Sequence, residues 1–252
     1  MSLKEPASRR IQSVDRAVAL LRAVADSPRP ASLADLADKV GLNRSTAWRL
    51  LLTLEHHGLV DRDAAQGGFV IGYEIGRLAL RSGSAGLVRR VRPALTALAE
   101  ETGMATVLAV PTATEPIAVD QVDPPGLPEP NMVGWGYPVH ASAAGKVWLA
   151  FLADSEREEV LLRPLPRFTA STLTDPRALR RDLDEVRRSS IAVDRDEWDP
   201  GWTAMATPVI DDGAVVAMIS LMATTPRFTE AKLRTARRQI RAAAAAAAAS
   251  LR

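Results

Sequence analysis

The stretch Ser32-Leu33-Ala34-Asp35-Leu36-Ala37-Asp38-Lys39-Val40-Gly41-Leu42-Asn43-Arg44-Ser45-Thr46-Ala47-Trp48-Arg49-Leu50-Leu51 constrains this chain most. Leu33, Leu36, Ala37 and Val40 recur at helical spacing and predict a short helix; Ala47, Leu50, Leu51 and Leu54 predict a second. Ser32 and Asn43 stand where N-caps belong, and Asp35 sits in a first turn where negative charge suits the helix dipole. Gly41 is placed to end the first helix in a left-handed conformation. The result is two short helices joined by a tight turn. The second turns Arg44, Ser45, Trp48 and Arg49 outward, and a polar, basic helix presented this way fits the major groove of a duplex.

The flanks extend the motif. Val14, Ala17, Val18, Leu21 and Val24 predict a preceding helix, capped by Ser13 and stopped at Ser27-Pro28-Arg29-Pro30. Gly58 stops the third helix. Leu59–Arg62 and Phe69–Ile71 read as two strands around Asp63–Gly68, with Gly67-Gly68 supplying a tip that tolerates positive φ. Three helices and a hairpin make a winged helix–turn–helix. Tyr73–Arg81 reads as a further amphipathic helix through Ile75, Leu78 and Ala79, and Ser82-Gly83-Ser84-Ala85-Gly86 as a boundary. The organisation predicted is a DNA-binding domain over 1–72, a linker helix over 73–84 and a second domain over 85–252.

That second domain alternates helices and strands. Leu87–Thr102, Ala141–Leu152, Ser155–Arg163, Pro176–Ser189 and Thr229–Leu251 read as helices. Ala105–Val110, Pro116–Val122, Ile191–Asp194, Thr203–Ile210 and Val215–Ala223 read as strands, the last two paired across Asp211-Asp212-Gly213. Asp123–Pro130 is a proline-rich loop. Long helices around antiparallel strands give an α+β class. The alanine run 242–249 extends the last helix, because alanine is the best helix former.

Composition narrows the function. A net charge of +2 over 252 residues means that any grip on DNA comes from local placement of charge. The absence of cysteine excludes disulfides, thiol catalysis and cysteine-ligated metal centres. Met1-Ser2-Leu3-Lys4-Glu5-Pro6 lacks the apolar core of a signal peptide. No run approaches the roughly 18 apolar residues of a membrane span. A cytoplasmic protein without membrane contact is the expectation.

Three segments resemble the IclR family of bacterial transcription regulators, over nearly the whole chain. One is Ile11-Gln12-Ser13-Val14-Asp15-Arg16-Ala17, with the helix–turn–helix and Leu54-Glu55-His56-His57-Gly58-Leu59-Val60 behind it. Another is Pro138-Val139-His140-Ala141-Ser142-Ala143-Ala144-Gly145-Lys146-Val147-Trp148-Leu149-Ala150. The third is Val193-Asp194-Arg195-Asp196-Glu197, then Gly201 and Ala206-Thr207-Pro208-Val209. The resemblance implies a winged helix, a linker helix and a C-terminal effector domain similar to the GAF fold. It also implies homodimers or dimers of dimers, and small organic acids or aromatic compounds as effectors.

The candidate DNA contacts are Ser32, Asn43, Arg44, Ser45, Thr46, Trp48, Arg49, Arg62, Gly67 and Gly68. Arginine bonds a guanine edge with two donors, and hydroxyls serve phosphates or bases. Against this stand solvated Arg44 and Arg49, and a Trp48 packed on the linker helix. For the effector, Ala143 and Ala144 offer little bulk and free N–H groups at a helix start, which suits a carboxylate. By motif matching the resemblance adds Tyr137, Asp194, Trp202, Ala204 and Ser220 to the pocket. The bland reading makes the alanines close-packing residues. Trp198, Pro200 and Trp202 depart from the family pattern, and the bulk of Trp202 shrinks the pocket or tunes it to a flat ligand. His140 reads as a buried, hydrogen-bonded histidine rather than a metal ligand. Lys146 either holds an anion or pairs with a carboxylate.

The expectation is a non-enzymatic, ligand-responsive regulator of an operator, with no cofactor and no metal. One alternative is a constitutive DNA binder whose C-terminal domain only oligomerises. The other is an enzyme with an appended winged helix, using Asp194, Asp196 and Glu197 as acid–base carboxylates.

Overall fold

The computed structural model describes residues 11–27, 29–63, 67–82 and 84–252. The expectations for residues 1–10, Pro28, tip residues 64–66 and Gly83 lie outside the described residues. The chain divides into two compact units at 83/84.

The first unit contains α1 (Gln12–Ala25), α2 (Leu33–Val40), α3 (Arg44–His56), the antiparallel pair β1 (Val60–Arg62) and β2 (Phe69–Ile71), and α4 (Tyr73–Ser82). Its caps follow the sequence. Ser32 Oγ accepts the Asp35 N–H at 3.2 Å, and Asn43 Oδ1 accepts the Thr46 N–H at 2.8 Å. Gly41 closes α2 at φ 67°. Leu20 and Val24 of α1, Leu36 of α2, Leu51 and Leu54 of α3, and Val60 and Phe69 of the hairpin share one core.

Two expectations for α1 need correction. Ser13 does not cap it; the N-cap position is Ile11, whose side chain has no acceptor. Val14 and Val18 do not face the core but are 56% and 44% exposed, in line with Ile11 at 67%. The apolar periodicity of this helix merges two stripes, only one of which the unit itself covers.

The second unit holds α5 (Ala85–Thr102), β3 (Ala105–Pro111), β4 (Pro116–Val122), α6 (Ala143–Phe151), α7 (Asp154–Leu161) and α8 (Pro176–Ser189). After them come β5 (Ala192–Arg195), β6 (Trp202–Asp211), β7 (Ala214–Thr224), a 3-10 turn at Thr225–Arg227 and α9 (Glu230–Ser250). The strands form one five-stranded sheet in the order β4-β3-β7-β6-β5, antiparallel throughout. The tight turn between β6 and β7 places Asp212 and Gly213 at φ 49° and 80°, the two positive values a hairpin of this twist needs.

Alternation along the strands sends side chains to two cores. Leu108, Met205, Ile219 and Leu221 face α5 and α9, where Ala243, Ala244 and Ala247 of the alanine run are buried. Val107, Ala206 and Met218 face α6 and α8 on the other side. The alanines therefore do more than prolong α9: their small side chains let it lie close to its neighbours. Helix α6 starts two residues later than the sequence suggests, because Ser142 caps it by accepting the Gly145 N–H at 3.0 Å.

Candidate functional site

The sheet face under α6 carries a cavity of about 310 Å³. Strand register builds its floor. Asp194, Ala204 and Met222 lie in one row across β5, β6 and β7. Ala206, Ser220 and Val107 form the next row across β6, β7 and β3. Alanine at 204 keeps the floor low where a larger residue would fill it. The first turn of α6 supplies Ala143 and Ala144, and Trp202 starts β6 at the rim. Tyr137, Ala143, Ala144, Asp194, Trp202, Ala204 and Ser220, the seven effector candidates read from the sequence, all line this one cavity.

Other lining residues were missed. Asn131, Met132 and Trp135 come from the loop after β4, and Trp198 from the loop after β5. The first loop follows the sheet edge. Gly134 N–H donates to Ala118 O at 2.8 Å, Tyr137 N–H donates to Pro116 O at 2.9 Å, and Gln121 Oε1 accepts the Met132 N–H at 2.9 Å. Nothing local in the sequence shows that a proline-rich loop returns to a strand edge. Trp198 meets Tyr137 edge-on at 5.5 Å.

Asn131 and Asp199 lie at the exposed rim, whereas Ser220 and Asp194 are buried. Ser220 Oγ is buried without a hydrogen-bond partner, a costly state unless a ligand or solvent completes it. Asp194 is 5% exposed, and its Oδ1 accepts the Glu197 N–H at 2.8 Å. Burial, with the Glu197 charge adding to it, pushes its carboxyl up to about 7 against the help of backbone N–H donors and Lys146. Burial likewise raises the Tyr137 hydroxyl, which stays protonated.

Lys146 does not reach the cavity. Its ammonium lies 2.6 Å from Glu197 and 3.0 Å from Asp182, so the carboxylate-pair reading holds and the anion-holder reading falls. His140 is buried with Nε2 2.8 Å from Pro166 O, and burial lowers its pKa, which keeps the ring neutral. No group of three or more metal-ligating side chains occurs among the described residues.

In the first unit the DNA candidates separate. Arg44, Ser45 and Arg49 of α3 are exposed, and no ion pair engages either arginine among the described residues. Thr46 is half-buried and Trp48 exposed at 36%. Trp48 meets Phe69 edge-on at 6.3 Å, and the Arg62 guanidinium lies 4.6 Å over its ring. Arg62 is also paired with Glu55 at 3.0 Å, so it is held against the protein. Gly67 is exposed at φ 71°. Gly68 is buried, and a Cβ there would stand 2.6 Å from the Pro30 carbonyl carbon; close backbone approach explains this glycine. Ser32 and Asn43 are engaged as caps, Ser32 Oγ also donating to Asp35 at 2.8 Å.

A helix–turn–helix with outward arginines, and an α+β unit with a cavity on its sheet, are the parts of a transcription regulator. Comparison with known proteins agrees. The model of the IclR helix-turn-helix domain matches residues 13–64, and that of the bacterial transcriptional regulator IclR C-terminal domain matches 81–249. The chain belongs to the IclR family of bacterial transcriptional regulators. It is 33% identical to the transcriptional repressor IclR of Escherichia coli, over 89% of this chain and 84% of that protein. It is 36% identical to the regulator TtgV of Pseudomonas putida, over 78% and 76%. A crystal structure of an IclR homolog from Microbacterium hydrocarbonoxydans in complex with 4-hydroxybenzoate superposes with a TM-score of 0.62. That homolog is 27% identical, over 95% of this chain and 98% of its own.

Proposed function

We propose that this regulator is ligand-responsive: α3 reads an operator, and a small organic acid, aromatic or short-chain, enters the α6 cavity and changes operator affinity. The observation that carries this is the buried Ser220 Oγ, without a hydrogen-bond partner among the described residues, in the wall of a cavity of about 310 Å³. That space is about twice the roughly 150 Å³ that admits one benzene into a protein core. Aromatic walls at Tyr137, Trp198 and Trp202 suit a planar ligand, and the relative bound to 4-hydroxybenzoate supports the same class. The exposed stripe Ile11, Val14 and Val18 supports dimerisation through α1, which would present two α3 helices to two half-sites.

The catalytic alternative has little to work with. Glu197 is engaged by Lys146, and Asp196 Oδ1 accepts from Gly201 N–H and Thr225 Oγ1. Among the described residues no histidine or lysine lines the cavity to activate Ser220.

Thermal shift against a panel of aliphatic and aromatic carboxylic acids tests the proposal. An effector at 100 times its dissociation constant adds about 2.7 kcal/mol of stability. Ser220→Ala weakens that response and Ala144→Leu abolishes it by filling the cavity. The hit then shifts operator affinity in a mobility assay. A panel with no stabilising acid sinks the proposal and leaves a constitutive DNA binder whose second unit only oligomerises.

A further inference from the structure

An acid effector meets a charge problem in this cavity. Among the described residues no lysine, arginine or histidine lines it, and the titratable residues that do are Asp194, Asp199 and Tyr137. The buried cation of α6, Lys146, is neutralised by Glu197 and Asp182. A carboxylate placed beside an ionised Asp194, which is itself 5% exposed, would face like charge with little water between them. The same carboxylate beside the acid form of Asp194 would instead accept a strong hydrogen bond, because one partner is charged.

The remaining donors are already arranged. Ala143 and Ala144 occupy the first two positions of α6, where helical N–H groups have no partner within the helix, and Ser142 caps only the Gly145 N–H. Ser220 Oγ, on a residue 4% exposed, supplies a hydroxyl without a partner.

We infer that the cavity holds its effector's carboxylate against a protonated Asp194, one proton being shared between the two carboxyl groups, with Ser220 and the start of α6 as further donors. This rests on the small-acid reading above. It makes Asp194 a specificity-determining residue, which favours a monocarboxylate over an uncharged analogue. Binding at a pH where Asp194 is ionised takes one proton from solvent, and the bound pair carries a single negative charge.

The groups around Asp194 support this balance. Glu197 on the following loop raises its pKa, and Lys146 from α6, itself faced by Asp182 from α8, lowers it. Asp199 lines the same cavity, and the Tyr137 hydroxyl is held neutral by burial. Strands β6 and β7 present Ala204, Ser220 and Met222, which carry no charge. Burial is the largest influence, and it brings the Asp194 carboxyl to about 7. A free carboxylic acid titrates near 4, so the effector is ionised from pH 6 upward. Below pH 7 the acid form of Asp194 is in place before the ligand arrives. Above it, each pH unit weakens binding tenfold.

Calorimetric titration of the full-length protein with benzoate and 4-hydroxybenzoate from pH 6.0 to 8.5 tests the inference. The dissociation constant should rise roughly 30-fold across that range. At pH 8 the heat should change with the buffer's ionisation enthalpy, reporting uptake of about one proton. Asp194→Asn, whose amide also donates, keeps binding at pH 6 within a few-fold and flattens the profile. Binding with a flat profile and no buffer dependence in the wild type overturns this inference alone. No binding by either acid at any pH overturns the acid-effector reading and this inference together.

Discussion

Arg49 and Arg62 are both exposed arginines of the first unit, yet their surroundings assign them different work. Arg49 projects from α3 with no ion pair among the described residues, whereas Arg62 is held by Glu55 and stacked on Trp48. Arg49→Ala should therefore relax sequence preference and cost roughly 1–3 kcal/mol against the best operator. An equal loss on every duplex would show a phosphate contact instead. Glu55→Gln releases Arg62 and should strengthen binding to operator and unrelated DNA alike, steepening the salt dependence by about one unit of slope. Neither difference is visible in the sequence, because the partners of Arg62 are Glu55 on α3 and the ring of Trp48, brought to it by the fold of the hairpin. Asp194 gives the same lesson in the second unit: its carboxyl is unusual because it is buried, and burial belongs to the fold.

Helix α6 is the element on which the cavity depends. Its residues from Ala143 to Ala150 are all buried, and its first turn forms part of the cavity wall. Gly145 makes the close seat possible. A Cβ there would press on the Pro138 carbonyl oxygen and stand 2.6 Å from Val139 Cα, backbone that cannot swing away. Gly145→Ala should cost about 1–3 kcal/mol, as overpacking of a tight core does. It should also weaken any acid ligand by moving Ala143 and Ala144; thermal unfolding and ligand titration of the same variant check both. An unchanged melting temperature would mean that α6 shifts freely. The alternation of strand residues and the turn residues of Asp212-Gly213 were legible as local chemistry, and so were the caps of α2 and α3. The late start of α6 was not, since Ala141 and Ser142 are equally compatible with a helix until Ser142 Oγ donates to Pro138 O at 2.8 Å.

At the scale of the whole molecule the exposed stripe on α1 carries a prediction about assembly. Ile11, Val14 and Val18 lie at helical spacing and face away from the core of their own unit. The double variant Val14→Glu, Val18→Glu should leave thermal stability of the chain nearly unchanged, because neither side chain is buried. It should shift sedimentation toward monomer and weaken operator binding. An unaltered oligomer with unaltered operator affinity would remove α1 from the interface. What the sequence by itself determined was the helix–turn–helix, its caps and the α+β class, since these follow from period and capping chemistry; the seven residues that share the cavity were reached through the family resemblance of the motifs around them. What only the tertiary structure decided was which of two apolar stripes on α1 is covered, that Lys146 is committed to Glu197 and Asp182, that Gly68 serves Pro30, and that the loop after β4 lines the cavity. Those outcomes depend on contacts between residues far apart in the chain, and burial, partnership and the protonation of a carboxyl exist only once such contacts are made.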